Sequence, residues 1–402
     1  MWVHSVGMRI ALLCETFPPK MGYLVSMLPK YLARLGADVH VLAVDLAPYH
    51  RAPEMSSRPI EFFREQVLSA GTVMQLDGYT VHILPHSRRL GHVFMRNLSS
   101  KLRELAPQVV YCISAIGWIS LQAAVSKIFL GYQLFTGSHT AKSTFRLATL
   151  AERVKCFFSR WLPGRLVSLV TTRCYVPTGD CGEIAWRFFG VQKRKVKLVH
   201  LGVDTDFFYP ADTEQALQER SRVRAELGFA AEDIVCIYSG KLVESKNPLI
   251  LLEAVEVLRA RGIPFRSLFI GDGVLAERLH SSPVATVLGF MPVRNLAQYY
   301  RAADIAVWPT NESTSMLDAA ACGLPLVVSD CIYRDHVDGN GLIYHLNDLG
   351  SLVETLLRLV HSDTRKLLGA AGAEKMRQYF TWGRAAQVRL DDFHAALGSS
   401  AQ

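Results

Sequence analysis

From end to end, short runs in which nearly every residue is apolar alternate with longer stretches whose apolar residues recur at helical spacing. MRIALLCETF, DVHVLAVD, YTVHILP, VVYCIS, YQLFTGS, LVTTRCYVP and KVKLVHLG are the strand-like runs of the first half. IVCIYSG, RSLFIGDG, TVLGFM, IAVWPT, PLVVSD and GLIYHL follow in the second. A strand apolar on both faces has to be covered on both faces. The alternation therefore predicts an α/β fold with parallel sheets between layers of helices. LVSMLPKYLARLGADVHV reads as the first helix, with Gly36 as its stop and Pro29 as a candidate kink. The pattern starts once at Met8 and again near Ile234, and 402 residues suffice for two domains with substantial cores. The polar, turn-rich stretch HLGVDTDFFYPADTEQ, near residues 200–215, is the expected boundary. Two doubly wound (Rossmann-like) domains would carry ligands at the carboxyl ends of their strands.

Charge separates the halves. Residues 1–200 hold 25 Lys and Arg against 11 Asp and Glu, whereas residues 201–402 hold 19 against 25. A basic amino-terminal half implies an anionic surface or partner. Its densest segment spans residues 142–165: Lys142, Arg146, Arg153, Lys155, Arg160 and Arg165 are interleaved with Phe145, Phe157, Phe158, Trp161 and Leu162, and opposed only by Glu152. Such a mixture fits a helix on an anionic membrane surface, with an ordinary amphipathic helix as the alternative. No nucleic-acid module accompanies it, so nucleic acid is not an expected partner. The eight cysteines form no CxxC pair and no Cys/His ligand spacing, so buried free thiols and no metal site are expected. VVYCISAIGWISLQAAVSKIF is broken by polar residues and reads as strand, turn and helix rather than a span. The opening MWVHSVGMRIALLCETFPP lacks a cleavage region and reads as an irregular lead before a first strand.

Two stretches carry chemistry. In YSGKLVESKNPLILLEAVEVL, a strand leads into a loop with Lys241 and Lys246 and then into a helix that Asn247 and Pro248 are suited to open. Two ammonium groups beside a helix start suit a diphosphate; a solvated lysine loop is the plainer alternative. NESTSMLDAAACGLPLVVSD places Glu312 and Asp318 around Ser313, Thr314 and Ser315. The small residues would let backbone amides approach a phosphate while a carboxylate accepts ribose hydroxyls. The plainer alternative is a capping box in which Asp318 serves Ser315. The lone GDG of FIGDGVLAERL reads as a tight turn and is assigned no ligand.

Taken in order, these stretches resemble the GT-B-fold retaining glycosyltransferases of family 4, the group 1 type, over nearly the whole chain. TFPPKMGYLVSMLPKYLARLGADVHVLA is similar to the family's opening loop and first helix, and KVKLVHLGVDTDFFYP to its hinge. SGKLVESKNPLILLEAV, FIGDG, VLGFMPVRNLAQYYRAADIAVWPT and LDAAACGLPLVVSD follow in the family's order, and YFTWGRAAQVRLDDF is similar to its closing helix. The resemblance implies an acceptor-binding domain over residues 1–205 and a donor-binding domain over 206–377. It also implies a cleft between them, and a helix, 378–402, that packs back on the first domain.

It further implies that Lys241, in the place of the usual Arg, and Lys246 bind the donor diphosphate, and that Asp318 stands where a Glu binds the ribose. The family's other Glu would fall on Thr310. Either the loop is shorter and Glu312 contacts the transferred sugar, or that role is missing. His139, in FTGSHT, stands near a cleft histidine that contacts donor sugar or acceptor, and Gly22 matches one glycine of a Gly-Gly loop whose other position is Met21. The implied activity is metal-independent, cofactor-free transfer of a sugar from a nucleotide-diphosphate sugar to a glycan or lipid-linked acceptor. The protein is expected to be cytoplasmic or peripheral at the inner face of the cytoplasmic membrane. Two alternatives are an epimerase or phosphorylase on the same fold and a non-catalytic nucleotide-sugar-binding protein.

Overall fold

The computed structural model describes residues 7–19, 21–47, 67–89, 92–145 and 147–399. The lead before Gly7 and Arg146 of the basic segment lie outside the described residues. The chain forms two compact units. One takes the described residues up to Leu201 together with those from Trp382 onward, and the other runs from Gly202 to Thr381. The chain thus changes unit after Leu201 rather than 205, and the closing helix Trp382–Gly398 belongs with the first unit.

The amino-terminal unit contains β1 (Arg9–Leu13), β2 (Asp38–Val44), β3 (Val73–Leu76), β4 (Tyr79–Leu84), β5 (His86–Arg89), β6 (His92–Met95), β7 (Val109–Cys112), β8 (Gln133–Gly137), β9 (Arg173–Val176) and β10 (Val196–Leu198). Its main sheet has the order β10-β9-β8-β7-β1-β2-β4-β3, parallel except for the antiparallel edge strand β3, and β5 and β6 form a separate hairpin. Register shows why the central strands are apolar throughout. Leu12 of β1 stands beside Val41 and Tyr111. Ile10 and Leu12 enter one core, roofed by Trp382, Leu390 and Phe393 of the closing helix. Ala11 and Leu13 enter the core on the opposite face, with Leu98, Leu102 and Ile119. Pro29 lies inside the helix Leu24–Arg34, which continues through it as one element.

The carboxyl-terminal unit contains β11 (Ile234–Ser239), β12 (Phe265–Ile270), β13 (Ala285–Leu288), β14 (Ile305–Trp308), β15 (Leu326–Ser329) and β16 (Gly341–Tyr344), all parallel in the order β13-β12-β11-β14-β15-β16. The first strand of this unit lies at the centre, so successive strands build outward first to one side and then to the other. The strand order reverses between β11 and β14, and in open α/β sheets ligands bind outside the carboxyl ends at that point.

Candidate functional site

The switch point of the carboxyl-terminal unit is formed by the loops that leave β11 and β14, and side-chain bonds tie them together. Thr310 Oγ1 donates to Ser245 O at 3.1 Å, and Lys246 Nζ donates to Asn311 Oδ1. Burial, and secondarily the nearby Lys241, lower the pKa of the Lys246 ammonium, while Glu312 acts to raise it. Lys241, Lys246 and Glu312 therefore form one electrostatic cluster at the end of the sheet. Glu312 is held by the backbone, its Oε1 accepting from Tyr333 N at 3.1 Å. Thr310, where the family's other Glu would fall, uses its hydroxyl on the β11 loop and its carbonyl on Ser329 Oγ, at 2.8 Å. Glu312 is the carboxylate this loop brings to the lysines.

Two helix starts border the cluster. Pro248–Ala260 begins with Asn247 at φ 43°, and the Asn247 side chain reaches Asn347 Oδ1 at 3.1 Å instead of capping the helix. The second helix begins at Thr314, with Ser313 extended before it, again without a side-chain cap. Ser313 and Ser315 bond each other at 2.6 Å. Both helices thus present first-turn N–H groups that no capping side chain satisfies, an arrangement suited to an anion.

The capping-box alternative for Asp318 is corrected by this geometry. The helix starts at Thr314, so Asp318 is its fifth residue, too far along to serve the cap. It is 9% exposed. Burial, with Asp204 as second cause, holds its pKa well above the usual carboxylate range. Beside it, the buried Tyr300 hydroxyl and Ser239 Oγ are 2.6 Å apart.

GDG contributes indirectly. At Gly271 (φ 153°) a Cβ would stand 1.8 Å from Gly240 O, and at Gly273 (φ 156°) 2.3 Å from Leu242 O. The turn after β12 thus lies against the backbone that carries Lys241, an approach that only glycine permits. A cavity of about 750 Å³, lined by Tyr209, Arg220, Asp304, Cys322 and Arg377, lies instead at the amino end of β14 and contains none of the candidate residues.

His139 and Gly22 belong to the amino-terminal unit, His139 just beyond β8 and Gly22 in the loop before the helix Leu24–Arg34. Burial, then the charge of Arg389, push the His139 pKa down to about 4.

Residues 21–207 match the family model described as Glycosyltransferase Family 4, and residues 233–362 match that described as Glycosyl transferases group 1. The chain belongs to the family 4 glycosyltransferases. It is 26% identical over 306 residues to the D-inositol 3-phosphate glycosyltransferase of Rhodococcus erythropolis, a match covering 69% of this chain and 66% of that one. With the Mycobacterium tuberculosis enzyme of the same name it shares 28% identity over 243 residues, covering 56% and 49%. The chain thus spans from about half to just under two thirds of the length of these relatives. Among solved structures, Anabaena HepE in complex with UDP aligns with a TM-score of 0.70 at 16% identity over 96% of this chain and 100% of that one. A glycosyltransferase from Rickettsia africae aligns with a TM-score of 0.71 at 12% identity over 97% and 99%. These likenesses show the GT-B fold in a family 4 chain.

The basic segment departs from a single helix. Lys142 and Phe145 lie in a loop, Leu150–Cys156 is α-helical, Phe157–Trp161 is a π turn, and Leu162–Val170 is again α-helical. Glu152, its only acid, forms a capping box with Thr149, so it is engaged at the helix start. Seven of the eight cysteines are buried as expected; Cys331 is exposed. Among the described residues, no helix is long and apolar enough to cross a membrane.

Proposed function

We propose that this protein is a retaining glycosyltransferase that moves a sugar from a nucleotide-diphosphate sugar to an acceptor hydroxyl. The observation that carries this reading is the convergence of Lys241, Lys246 and Glu312 on two uncapped helix starts at the switch point of the carboxyl-terminal unit. In the transfer, the bond from the anomeric carbon to the phosphate oxygen breaks. The acceptor oxygen bonds the same face of that carbon, and the acceptor proton passes to the departing diphosphate. Negative charge grows on the diphosphate and positive charge on the sugar. Lys241, Lys246 and the helix amides stabilise the first, and Glu312 the second. These charges make a resident metal unnecessary. Asp318, buried at this site, accepts a ribose hydroxyl.

The acceptor is anionic and lipid-linked, as in the assembly of envelope or exopolysaccharide glycans. Leu150, Phe158, Leu166 and Leu169 expose large apolar surfaces, as do Ile128 and Phe129 on the helix Trp118–Leu130, which packs against Leu162–Val170. Arg153, Lys155, Arg160 and Arg165 flank them. A cavity of about 550 Å³ is lined by Phe145, Trp161 and Phe188 together with Arg153 and with Lys142 and Arg187, which both pair with Glu183 in the same lining. Apolar and cationic groups in one place suit an anionic amphiphile, and so a peripheral position on the membrane's inner face.

Lys246→Ala and Glu312→Gln test the transfer. Each is expected to lower acceptor-dependent release of nucleoside diphosphate by roughly 100-fold or more, as loss of a transition-state charge contact does, with the unfolding midpoint of the free protein little changed. Wild-type turnover in both variants would overturn the assignment.

A further inference from the structure

The loop that leaves β14 is pinned at consecutive residues. Pro309 O accepts from the Tyr344 hydroxyl of β16 at 2.7 Å. Thr310 O accepts from Ser329 Oγ, at the end of β15, at 2.8 Å, and Thr310 Oγ1 donates to Ser245 O at 3.1 Å. Glu312 Oε1 accepts from Tyr333 N at 3.1 Å. Asn311, between these anchors, turns its side chain to the loop that leaves β11, where its Oδ1 accepts from Lys246 Nζ. The two loops are thus joined at successive positions, Thr310 to Ser245 and Asn311 to Lys246.

An ammonium only donates, so the Asn311 atom that faces it is the amide oxygen. That acceptor is neutral. It engages one hydrogen of the ammonium, leaves the others for further oxygens, and does not cancel the charge. Lys246 ends a short helical turn, Glu244–Lys246, with its N–H bonded to Val243 O at 3.0 Å. Its backbone is therefore fixed, while a flexible four-carbon stem separates Nζ from it. A lysine sampling all its rotamers would lose that freedom on meeting an anion, whereas one already held by Asn311 has lost it beforehand. A carboxylate at 311 would hold the ammonium as firmly but would neutralise it, and a diphosphate would have to displace the pair.

We propose that Asn311 is a positioning residue that holds the Lys246 ammonium in place for a diphosphate through an uncharged acceptor, so that the lysine is ordered and still fully cationic. The inference rests on the reading of Lys246 as a diphosphate ligand. Both residues belong to the carboxyl-terminal unit, so the device is complete within it.

The test is calorimetric titration of full-chain variants with UDP, GDP and ADP, each beside its parent nucleoside. Asn311→Ala, which frees the ammonium, is expected to lower the preference for diphosphate over nucleoside by about three- to tenfold, the cost of ordering one long side chain. Asn311→Asp, nearly the same shape with a charge, is expected to lower it further, by more than about tenfold. Asn311→Gln keeps a neutral carbonyl acceptor and should recover most of the wild-type preference. Nucleoside affinity should stay unchanged in all three, a separation that a general loosening of the loop would not produce. In a Lys246→Ala background, Asn311→Ala should have no further effect, because its influence passes through the lysine. An Asp variant that keeps the diphosphate preference, or an Ala variant that loses diphosphate and nucleoside affinity in equal measure, overturns the proposal. If Lys246→Ala alone keeps the wild-type preference, the reading of Lys246 as a diphosphate ligand fails. If Lys246→Ala loses it while the Asn311 variants do not, that reading stands and the role of Asn311 fails.

Discussion

Among the site residues, Asp318 makes the most unusual physical demand. A carboxyl group whose pKa is raised by folding binds its proton more tightly in the native than in the unfolded chain. Its contribution is fully present below the unfolded value, about 3.9, and is lost as pH rises toward the folded one. Asp318→Asn removes that dependence. At pH 8 the free Asn variant is expected to be about 1–3 kcal/mol more stable than the wild type, the order of cost of keeping a polar group in a poorly solvated place. Nucleotide binding should weaken at the same time. Denaturant unfolding at pH 5 and pH 8, with and without UDP, GDP or ADP, reads both effects. Equal stabilities at both pH values would show that Asp318 carries no such burden. The sequence placed this carboxylate beside the right loop, but S-x-x-D also fits a cap. Only the helix start at Thr314 separates the two readings.

At the scale of elements, apolar runs were legible because parallel strands are buried on both faces. Each of the thirteen strand-like runs contains or overlaps, to within one residue, one of the strands β1, β2, β4, β7–β10 or β11–β16. The edge strand β3 was missed, since its exposed, alternating residues carry no such signal. Its turn was there to be read: Asp77 and Gly78, at φ 46° and 88°, join Leu76 to Tyr79 as an Asp-Gly hairpin. The β5–β6 hairpin was missed for a similar reason, as only two of its eight residues are buried. Basic and aromatic residues in 142–165 were visible as composition, but the loop, the π turn and the exposed partner face on Trp118–Leu130 depend on tertiary packing. That two-helix face yields its own prediction. Sedimentation with phosphatidylglycerol vesicles at low salt is expected to recover the wild type. Phe129→Asp with Phe158→Asp should reduce binding by about tenfold or more, through lost apolar insertion. Equal recovery of the two proteins, or none of the wild type, would count against peripheral binding.

For the whole molecule, the two units divide the chemistry by sequence as well as by fold. The amino-terminal half carries the positive surplus and the exposed apolar face. The carboxyl-terminal unit carries the lysine–carboxylate cluster at a strand-order reversal that the sequence could suggest only through resemblance. Strand order follows from which buried runs pair, and single-sequence patterns do not encode it. The central claim is that Lys241 and Lys246 bind a diphosphate. Calorimetric titration of the full chain with UDP, GDP and ADP, each beside its parent nucleoside, tests it most directly. The preferred diphosphate is expected to bind the wild type at least about tenfold more tightly than its nucleoside, equivalent to about 1.4 kcal/mol. In Lys241→Ala/Lys246→Ala that advantage should vanish while nucleoside binding stays unchanged. A double variant that keeps the full diphosphate preference would contradict the account.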